Sequence, residues 1–401
     1  MAVERREIVV VGGGLAGWAA GLGFACEGFD TLLLAPAAKP DGRSTALIGR
    51  SVPFLQRLGM MDAILASAEP LSTMRIVDDG GRLLHAPTVE FHAAEIGLPA
   101  FGYNILNADL LAGFEARGEA LGARLERREA KATGLEADAT GAVVTLEDGS
   151  QLRADLVVAA DGRRSPMRQA AGIAVGEWSY PQSALVMNFS HRLPHGSVST
   201  EFHTRNGPFT QVPLPGRRSS LVWVEEPRIA ELLEELTPEA LSRRVEERLH
   251  SILGSVEVEM PVQRFPLSGA RAASMAGDRL ALVGEAGHAF PPIGAQGLNL
   301  GLRDVDQLLQ LACENRDDAG ARVVLGRYAA GRRADVASRS AGVDLLNRSL
   351  LTGFLPVQFA RSAGLSMLAG IAPLRRFAMR EGVSPGAGLL GLPRSLRELW
   401  S

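Results

Sequence analysis

The sequence predicts a mixed α/β fold: a parallel-sheet domain built from discontinuous segments, an antiparallel-sheet domain inserted between them, and helices at the C-terminus. Two observations carry this prediction. Apolar runs at 8–11, 31–35 and 279–283 have the length and composition of strands buried on both faces of a parallel sheet. Residues 180–267 instead alternate apolar and polar side chains between Pro and Gly breaks, which is typical of an antiparallel sheet.

The first 35 residues have the pattern of a strand–helix–strand unit. Gly12, Gly14 and Gly17 form a Gly-x-Gly-x-x-Gly motif between the first apolar run and a helix of small residues. Such glycines allow a tight turn, close approach of the backbone to a pyrophosphate, and close packing of helix on strand. The motif predicts a Rossmann-like dinucleotide site. The carboxylate expected about 20 residues later, which would hold the ribose, is replaced by Ala35, so the dinucleotide binds without that anchor, binds weakly or does not bind.

The later stretches supply the remaining elements. Residues 106–126 have a charged helical pattern, two alternating strands flank the turn Asp148-Gly149, and a helical insertion is expected near 228–250. We expect the dinucleotide-binding domain at 1–75, 101–178 and 269–340, the second domain at 76–100 and 179–268, and a C-terminal helical segment at 341–401.

Composition excludes several classes of function. Of the 401 residues 46% are apolar and 22% charged, and the net charge is −3, so no nucleic-acid partner is expected. Two cysteines without a C-x-x-C motif argue against a disulfide scaffold, and no metal site is expected. The N-terminus leads from charged residues directly into a strand, and no apolar run reaches the roughly 18 residues of a membrane span. We therefore expect a soluble, cytoplasmic protein.

A second motif ends the strand that follows the predicted hairpin. Asp161 and Gly162 stand at the end of this strand in LVVAADGRRSPMR, with Ser165 and Arg168 beyond them. Taken alone, the Asp-Gly dipeptide indicates only a turn at a strand end with solvated arginines.

A third motif, GEAGHAFPPIGAQGLNLGLRD at 284–304, lies between a buried strand and a helix. Pro291 and Pro292 stiffen its loop, and Gly294 lets the backbone approach a ligand. The N–H groups of the next residues, at the helix start, are placed to stabilise negative charge. Those residues are Gly297, Leu298 and Asn299.

In this order and at these spacings, the three motifs resemble the FAD-dependent aromatic hydroxylases of the para-hydroxybenzoate hydroxylase type. The resemblance covers nearly the whole chain. Four stretches narrow it to the ubiquinone-biosynthesis hydroxylases, especially an alphaproteobacterial type. They are DGRSTAL at 41–47, FGYNILNADL at 101–110, the third motif at 284–304, and 345–382.

The resemblance implies a monooxygenase that uses FAD, NAD(P)H and dioxygen. Through a flavin hydroperoxide, such an enzyme hydroxylates the aromatic ring of a polyprenylated ubiquinone precursor. The first motif would bind the ADP half of FAD, the Asp-Gly motif would serve FAD and NAD(P)H, and the third would bind the ribityl–pyrophosphate. Its Pro-rich loop would lie along the flavin ring. Glu285 stands where the family usually has Asp.

The resemblance assigns roles to particular positions of this sequence. The residues expected at the reacting part of the flavin are Pro291, Pro292, Gly297 and Leu298. Those expected to bind the cofactor are Gly12, Gly14, Leu15, Ala16, Gly17, Arg43, Ala46, Asn107, Asp161, Gly162, Glu285, Gly294, Gly297, Leu298 and Asn299.

Substrate contacts are expected from the antiparallel region and its neighbours. The candidates are Tyr103, His203, Phe209, Gln211, Pro213 and Trp223. Each is also a common kind of core residue. His288 in the third motif is either a proton carrier or a histidine bonded to its local surroundings.

Residues 350–380 are apolar, interrupted by Gly and carry four arginines. They predict either an interfacial helix, with peripheral contact at the inner membrane, or a C-terminal helix pair of the core with solvated arginines. An assembly with other quinone-biosynthesis proteins is also implied by the resemblance. Two other functions stay open: a hydroxylase of a soluble phenol, and a flavin-poor, non-catalytic subunit of such an assembly.

Overall fold

The computed structural model describes residues 3–37, 41–81, 86–291, 296–351, 364 and 366–383. The α-helices, in chain order, are α1 Leu15–Cys26, α2 Ser51–Arg57, α3 Met61–Ser67, α4 Asn107–Leu121, α5 Pro166–Ala170, α6 Pro227–Glu234, α7 Pro238–Arg248, α8 Gln296–Glu314, α9 Arg322–Leu351 and α10 Ala372–Val383. The strands are β1 Glu4–Val11, β2 Thr31–Leu34, β3 Ser44–Ile48, β4 Glu69–Pro70, β5 Thr73–Asp78, β6 Val89–His92, β7 Gly102–Leu106, β8 Leu125–Arg128, β9 Ala132–Ala137, β10 Ala142–Leu146, β11 Gln151–Ala159, β12 Val175–His191, β13 Val198–His203, β14 Pro208–Leu214, β15 Arg218–Glu225, β16 Val256–Ala272, β17 Ala276–Gly277, β18 Leu280–Leu282 and β19 His288–Ala289.

The first sheet has the order β17-β18-β11-β1-β2-β8, and β9 and β10 extend it as a hairpin on β11. The strands from β18 to β8 pair in parallel, with Val9 level with Val157 on one side and with Leu32 on the other. These residues are fully buried on the face that strands β9 and β10 and Met167 of α5 cover, and the helices α1 and α8 cover the opposite face. The mixed α/β class and the discontinuous parallel sheet are therefore confirmed.

The second sheet has the order β19-β16-β12-β15-β14-β13-β5-β6. All its pairings are antiparallel except that of β13 with β5. One face packs beneath α6 and α7 and forms a second core around Phe209 and Trp223, whose rings meet edge-on with centroids 5.2 Å apart. The opposite face is turned toward the first sheet, and the space between them is the candidate site.

The boundaries differ slightly from the sequence-based ones. The second sheet takes its β5 from Thr73, three residues before the expected insertion, and its long strands β12 and β16 begin and end outside 179–268. The expected helix over 106–126 ends at Leu121, because the chain turns at Gly122, with φ of +59°, and enters β8. The insertion near 228–250 is two helices, α6 and α7, separated before Pro238.

The last described helix, α10, closes the molecule beside the second sheet. Arg375 donates from Nη2 to Oε2 of Glu95 over 2.8 Å, which ties α10 to the segment after β6. At its other end, the carbonyl of Val383 lies so close to Gly49 that a Cβ there would be 2.1 Å from it. None of the helices among the described residues has both the length and the apolar character needed to cross a membrane.

Candidate functional site

A cavity of about 1790 Å³ lies between the two sheets. Ordinary small-molecule pockets have volumes of about 300–1,000 Å³, so this cavity has room for more than one ligand. The three sequence motifs meet along one side, and strands β12 to β16 with β5 and β6 form the other. The described residues contain no group of three or more His, Cys, Asp or Glu side chains placed to hold a metal ion.

The glycine turn, residues 12–17 between β1 and α1, packs tightly against the protein on one side and faces the cavity on the other. A Cβ on Gly12, with φ of +121°, would lie 2.3 Å from the carbonyl oxygen of Ala160, and one on Gly17 would lie 1.9 Å from that of Gly12. Both glycines are therefore required by packing of the helix and strands. Gly14, the N-cap of α1, has no atom within 4 Å of its Cβ position and faces the cavity. The first-turn N–H groups of α1 are thus available to a phosphate.

At the end of β2, Ala35 occupies the position at which the ribose carboxylate was expected. Ala35 is buried, and a Cβ on Gly13 would come within 2.8 Å of its methyl group, so a larger side chain would disturb the glycine turn. Beyond it the cavity is lined mainly by small and apolar residues. They are Leu34, Pro36, Ala37, Ala130 and Ala132, and Lys131 is the charged residue among them.

A polar cluster before β3 lies further along the cavity. Arg43 donates to both oxygens of Asp41 over 2.8 Å, Asn107 donates to Asp41 over 2.9 Å, and Thr45 donates to Asn107 over 2.6 Å. Burial alone would raise the pKa of Asp41, but the bonds from Arg43 and Asn107 hold it below its usual value. Bonding to Asp41 and, at longer range, the charge of Glu285 raise the pKa of Arg43. The cluster therefore presents a firmly charged guanidinium to the cavity.

The second motif places a carboxylate at the cavity wall. One oxygen of Asp161 accepts the backbone N–H of Met167 over 3.0 Å, and its other oxygen, Oδ1, is buried without a hydrogen-bond partner among the described residues. Burial raises the pKa of Asp161 despite this bond. Arg168 joins the motif to the third one by donating to the carbonyl of Ala286 over 2.7 Å. The unsatisfied oxygen is an acceptor that a ligand hydroxyl would satisfy.

We expect Asp161→Asn to stabilise the cofactor-free protein at pH 7 while weakening cofactor binding roughly tenfold or more. Because the pKa of Asp161 is raised on folding, its ionisation at pH 7 destabilises the folded state relative to the unfolded chain. The increase in the free energy of unfolding caused by Asp161→Asn therefore vanishes below the ordinary Asp pKa of about 3.9, where the carboxyl is protonated in both states. Thermal unfolding at pH 7 and pH 3.5, with FAD titration, measures both effects. Asp148→Asn, in an exposed turn, is the control. An unchanged unfolding temperature with unchanged affinity would contradict this reading.

The third motif is held by a buried carboxylate. Asp304 of α8 accepts the N–H of Gly284 over 2.8 Å, contacts Nε2 of His288 over 2.7 Å, and accepts Nε of Arg332 over 2.6 Å. The His288 side chain is fully buried and is not among the lining residues, which favours the locally bonded histidine over the proton carrier. The network keeps the turn at residues 284–288 in place, and leaves Glu285 exposed into the cavity.

Most predicted cofactor residues line this one cavity. Those that do are Gly12, Gly14, Leu15, Ala16, Arg43, Ala46, Asn107, Asp161, Gly162, Glu285, Gly297 and Leu298. Gly17 lies behind the turn, and Asn299 is buried behind β3, where it accepts from Ile48 and donates to Ala46. Pro291 lines the cavity, whereas Pro292 and Gly294 lie outside the described residues.

None of the six predicted substrate residues lines the cavity. Phe209 and Trp223 belong to the core under α6 and α7, and Gln211 is buried, donating to Ser219 over 2.9 Å. His203 is buried, Tyr103 packs on the core of the first domain, and Pro213, in β14 on the side away from the cavity, is not among the lining residues. For the residues of β7, β14 and β15 the reason is the two-residue period of a strand, since they alternate with those that face the cavity. His203 has the same register as Glu201, which lines the cavity, but it lies at the end of β13, where it is buried.

The cavity-facing residues of the second sheet were missed by the sequence reading. They include Val186, Ser199, Glu201, Thr210, Val212, Ser220, Val222 and Phe265. Asn104 of β7 also lines the cavity and is fixed by donating to the carbonyl of Pro213 over 2.8 Å. These residues alternate along the strands with the ones that the sequence analysis selected. The sequence could not decide which set faces the cavity, because both faces of β14 and β15 carry enough apolar residues to be buried.

The far end of the cavity is apolar. It is lined by side chains from β5, β6, α10 and the residue before β7, several of which pack together as one cluster. These residues are Met74, Ile76, Phe91, Phe101, Met379 and Val383. A single space therefore runs from the glycine turn, past the polar cluster and the sheet, to an apolar pocket closed by α10.

The residues present fit an FAD molecule. The open glycine turn and the start of α1 suit a pyrophosphate, and the unpartnered oxygen of Asp161 suits a ligand hydroxyl. The Cβ position of Gly297 has no atom within 4 Å, so a planar ring can approach the start of α8. Gly284 brings the third motif against Ala16 of the first, with 3.2 Å between its Cβ position and the alanine methyl, so both face one ligand.

Known proteins resemble this chain in sequence and in fold. A family model described as an FAD binding domain matches residues 5–340. Ubiquinone hydroxylase UbiL of Rhodospirillum rubrum is 34% identical over 385 residues, which cover 94% of this chain and 89% of the relative. The 3-demethoxyubiquinol 3-hydroxylase of Escherichia coli is 31% identical over 392 residues, covering 95% and 99%. The p-nitrophenol 4-monooxygenase of Pseudomonas putida has a TM-score of 0.79 at 20% identity, covering 95% and 99% of the two chains, and shares the fold.

Proposed function

Because this chain belongs to the FAD-binding family that includes the ubiquinone hydroxylases, we propose that it hydroxylates the ring of a polyprenylated phenol, a ubiquinone precursor, with FAD, NAD(P)H and dioxygen. The observation that carries the proposal is the continuity of the cavity. A nucleotide cradle, a polar middle and an apolar end occur in one space of about 1790 Å³, in the order that a cofactor, a phenol ring and an isoprenoid tail require.

When bound, FAD supplies the activation of dioxygen, which no side chain can perform. The residues of this chain bind and orient the reactants. First-turn N–H groups of α1 would hold the pyrophosphate, and Asp161 would accept a hydroxyl of the cofactor. The N–H groups of Gly297 and Leu298 lie in the first turn of α8, where they lack intrahelical partners and would stabilise negative charge on the ring.

Exclusion of water is the other task of the protein, since activated oxygen is lost to solvent as peroxide when the site is open. The second sheet covers one side of the cavity with Val186, Val212 and Val222, and Pro291 covers the loop side. At the far end α10 closes the space, and its ion pair between Arg375 and Glu95 holds it there.

The proposal predicts that activity depends on the length of the substrate tail. With FAD-loaded enzyme, kcat/KM for one phenol ring carrying no tail, a geranyl or a farnesyl tail is expected to rise at least about tenfold per added isoprene buried. Met74→Trp, which fills the apolar end, should remove this gain and leave the tailless phenol within about twofold. Hydroxylated product and NAD(P)H consumption are the measurements.

Two results would contradict this function in different ways. Equal kcat/KM for all tail lengths would favour the hydroxylase of a soluble phenol. A purified protein that stays colourless after addition of FAD would favour the flavin-poor subunit of a quinone-biosynthesis assembly. The visible spectrum is therefore recorded first.

We further propose a cytoplasmic protein with peripheral contact at the inner membrane through the described part of 350–380. Met367 and Ile371 are 50% and 45% exposed next to α10, and Arg376 lies beside them. The double variant Met367→Glu, Ile371→Glu should float with anionic liposomes severalfold less than the parent. Leu65→Glu, elsewhere on the surface, should not change flotation. Equal flotation of all three proteins would favour a helix pair of the core with solvated arginines.

A further inference from the structure

The part of the cavity beyond the end of β2 has no ribose carboxylate on the sheet, but it has a carboxylate on a helix. Ala35 stands where the carboxylate was expected, and most side chains that line this part of the cavity are apolar, which suits an adenine base. Among the described residues, the charged side chains that line it are Glu115 of α4 and Lys131. A carboxylate accepts hydrogen bonds from ribose hydroxyls, so Glu115 is the candidate for the missing anchor.

The packing of α1 on α4 determines where Glu115 lies. Helix α1 leads into β2, α4 leads through residues 122–124 into β8, and these two strands are parallel neighbours, so the helices run in the same direction. They are in close contact, because a Cβ on Gly118 of α4 would lie 2.7 Å from the ring of Trp18 of α1. Three residues earlier on each helix, Glu115 comes beside Leu15, in the first turn of α1.

The glycine turn lies between Glu115 and the end of β2. Leu15 follows Gly14, the N-cap of α1, and Gly13 lies against Ala35, with 2.8 Å between its Cβ position and the alanine methyl group. A dinucleotide whose pyrophosphate lies at the start of α1 places its adenosine ribose beside the end of β2. Glu115 and Ala35 therefore border the same part of the cavity, one from the helix and the other from the sheet.

The carboxylate of Glu115 has capacity to accept hydrogen bonds. Within the part of the chain that the structure describes, its polar contact is with Nη1 of Arg127, which lies 3.6 Å from Oε1, beyond hydrogen-bond distance. The guanidinium of Arg127 also lies over the ring of Trp18, 5.8 Å from its centroid. The side chain of Glu115 is 35% exposed, so a ligand can reach it. Lys131 lies 3.6 Å from Glu147, and an ammonium group can only donate, so it cannot accept from a hydroxyl.

We propose that Glu115 accepts hydrogen bonds from the adenosine ribose hydroxyls of FAD, in place of the carboxylate that is absent at Ala35. This assignment rests on the proposed function, since it requires FAD as the cofactor. The ribose anchor of this chain is then on α4 rather than at the end of the second strand of the parallel sheet. Of the possibilities that Ala35 leaves open, a dinucleotide held without any ribose carboxylate is thereby set aside.

Two cofactors that differ by one hydroxyl test this assignment. The apo-protein is titrated with FAD and with an FAD analogue that lacks the 2′-hydroxyl of the adenosine ribose, and the visible flavin spectrum reports binding. The parent should bind FAD about tenfold more tightly than the analogue, since hydrogen bonds to charged acceptors are among the stronger ones. Glu115→Leu keeps the approximate size of the side chain and removes both acceptors, so the affinity ratio should fall below about twofold. Glu119→Leu, exposed on the same helix and outside the cavity, should keep the parent ratio.

Each other outcome has a distinct meaning. A parent ratio near one, or a ratio in Glu115→Leu equal to that of the parent, would overturn the role of Glu115 and leave the hydroxylase function intact. Loss of the ratio in Lys131→Met would also overturn it, because the ribose would then be held by Lys131. Glu115→Gln keeps one neutral acceptor and should give an intermediate ratio, and it provides the test if thermal unfolding shows that the leucine variant does not fold. Failure of the parent to bind either flavin would overturn the proposed function and this assignment with it.

Discussion

Gly14→Asp is expected to leave the protein folded and to weaken FAD binding at least about 100-fold. The Cβ position of Gly14 has no atom within 4 Å, so the Cβ of the new side chain meets no protein atom. It would project into the space at the start of α1 where the pyrophosphate binds. Two like charges about 4 Å apart near a protein surface repel by about 4 kcal/mol, more than a 100-fold change in affinity requires.

FAD retention through gel filtration and titration of the apo-protein, followed by its visible spectrum, measure this loss. Gly326→Asp, in α9, is the matched control because its Cβ position is also free of contacts and lies outside the cavity. It should bind FAD like the parent. Retention of FAD by Gly14→Asp would remove the glycine turn from the cofactor site. Unchanged thermal unfolding of both apo-variants establishes that folding is not the cause.

Asp304→Asn is expected to destabilise the protein by about 3 kcal/mol or more. Asp304 is completely buried, and its carboxylate serves Gly284, His288 and Arg332 together. Burial alone would lower the pKa of Arg332, but the charge of Asp304 raises it, so the guanidinium stays charged. Arg332 would keep Asp335 as a partner over 2.7 Å, but Asp335 is partly exposed. Loss of one partner from a buried pair costs about 3–5 kcal/mol, and we expect the lower end of this range.

Unfolding in denaturant, followed by circular dichroism, tests this expectation. Glu314→Gln is the control: it lies on the same helix, and its ion pair with Arg327 is more than half exposed on both sides. A surface pair of this kind contributes about 0–1 kcal/mol. FAD release should accompany the loss of stability in Asp304→Asn. Gly284 and Arg332 donate to different oxygens of Asp304, and Asn has only one acceptor oxygen for the two donors. A loss of stability no larger than that of the control would show that the network is not structural.

The glycine turn and the fold class could be predicted because each depends on residues that are close together in the sequence. Gly12, Gly14 and Gly17 stand in adjacent turns of one unit, and buried parallel strands have a composition of their own. That the second and third motifs line the same cavity as the first followed from family resemblance rather than from spacing. The departures at Ala35 and Glu285 are visible in the sequence, but their surroundings are not.

The substrate side was harder to predict because it depends on which face of a sheet is covered. Phe209 and Trp223 attracted attention as large aromatic residues, which often line ligand pockets. They pack instead under α6 and α7, and smaller neighbours such as Thr210 and Val222 face the cavity. The alternation of apolar and polar residues shows that successive side chains of a strand lie on opposite faces of the sheet. It does not show which face packs against the helices. The wall formed by α10 depends on contacts such as that of Arg375 with Glu95, for which no local pattern exists.

Strands β5 and β6 come from the first hundred residues, yet they complete a sheet whose other members follow Val175. The polypeptide therefore passes from one layer to the other and back again twice. Neither sheet layer is encoded by one continuous segment of the sequence. A chimera that transfers substrate preference between relatives must therefore exchange both segments of the second sheet together. A chimera with a single crossover point would pair strands β5 and β6 of one parent with the remaining strands of the other.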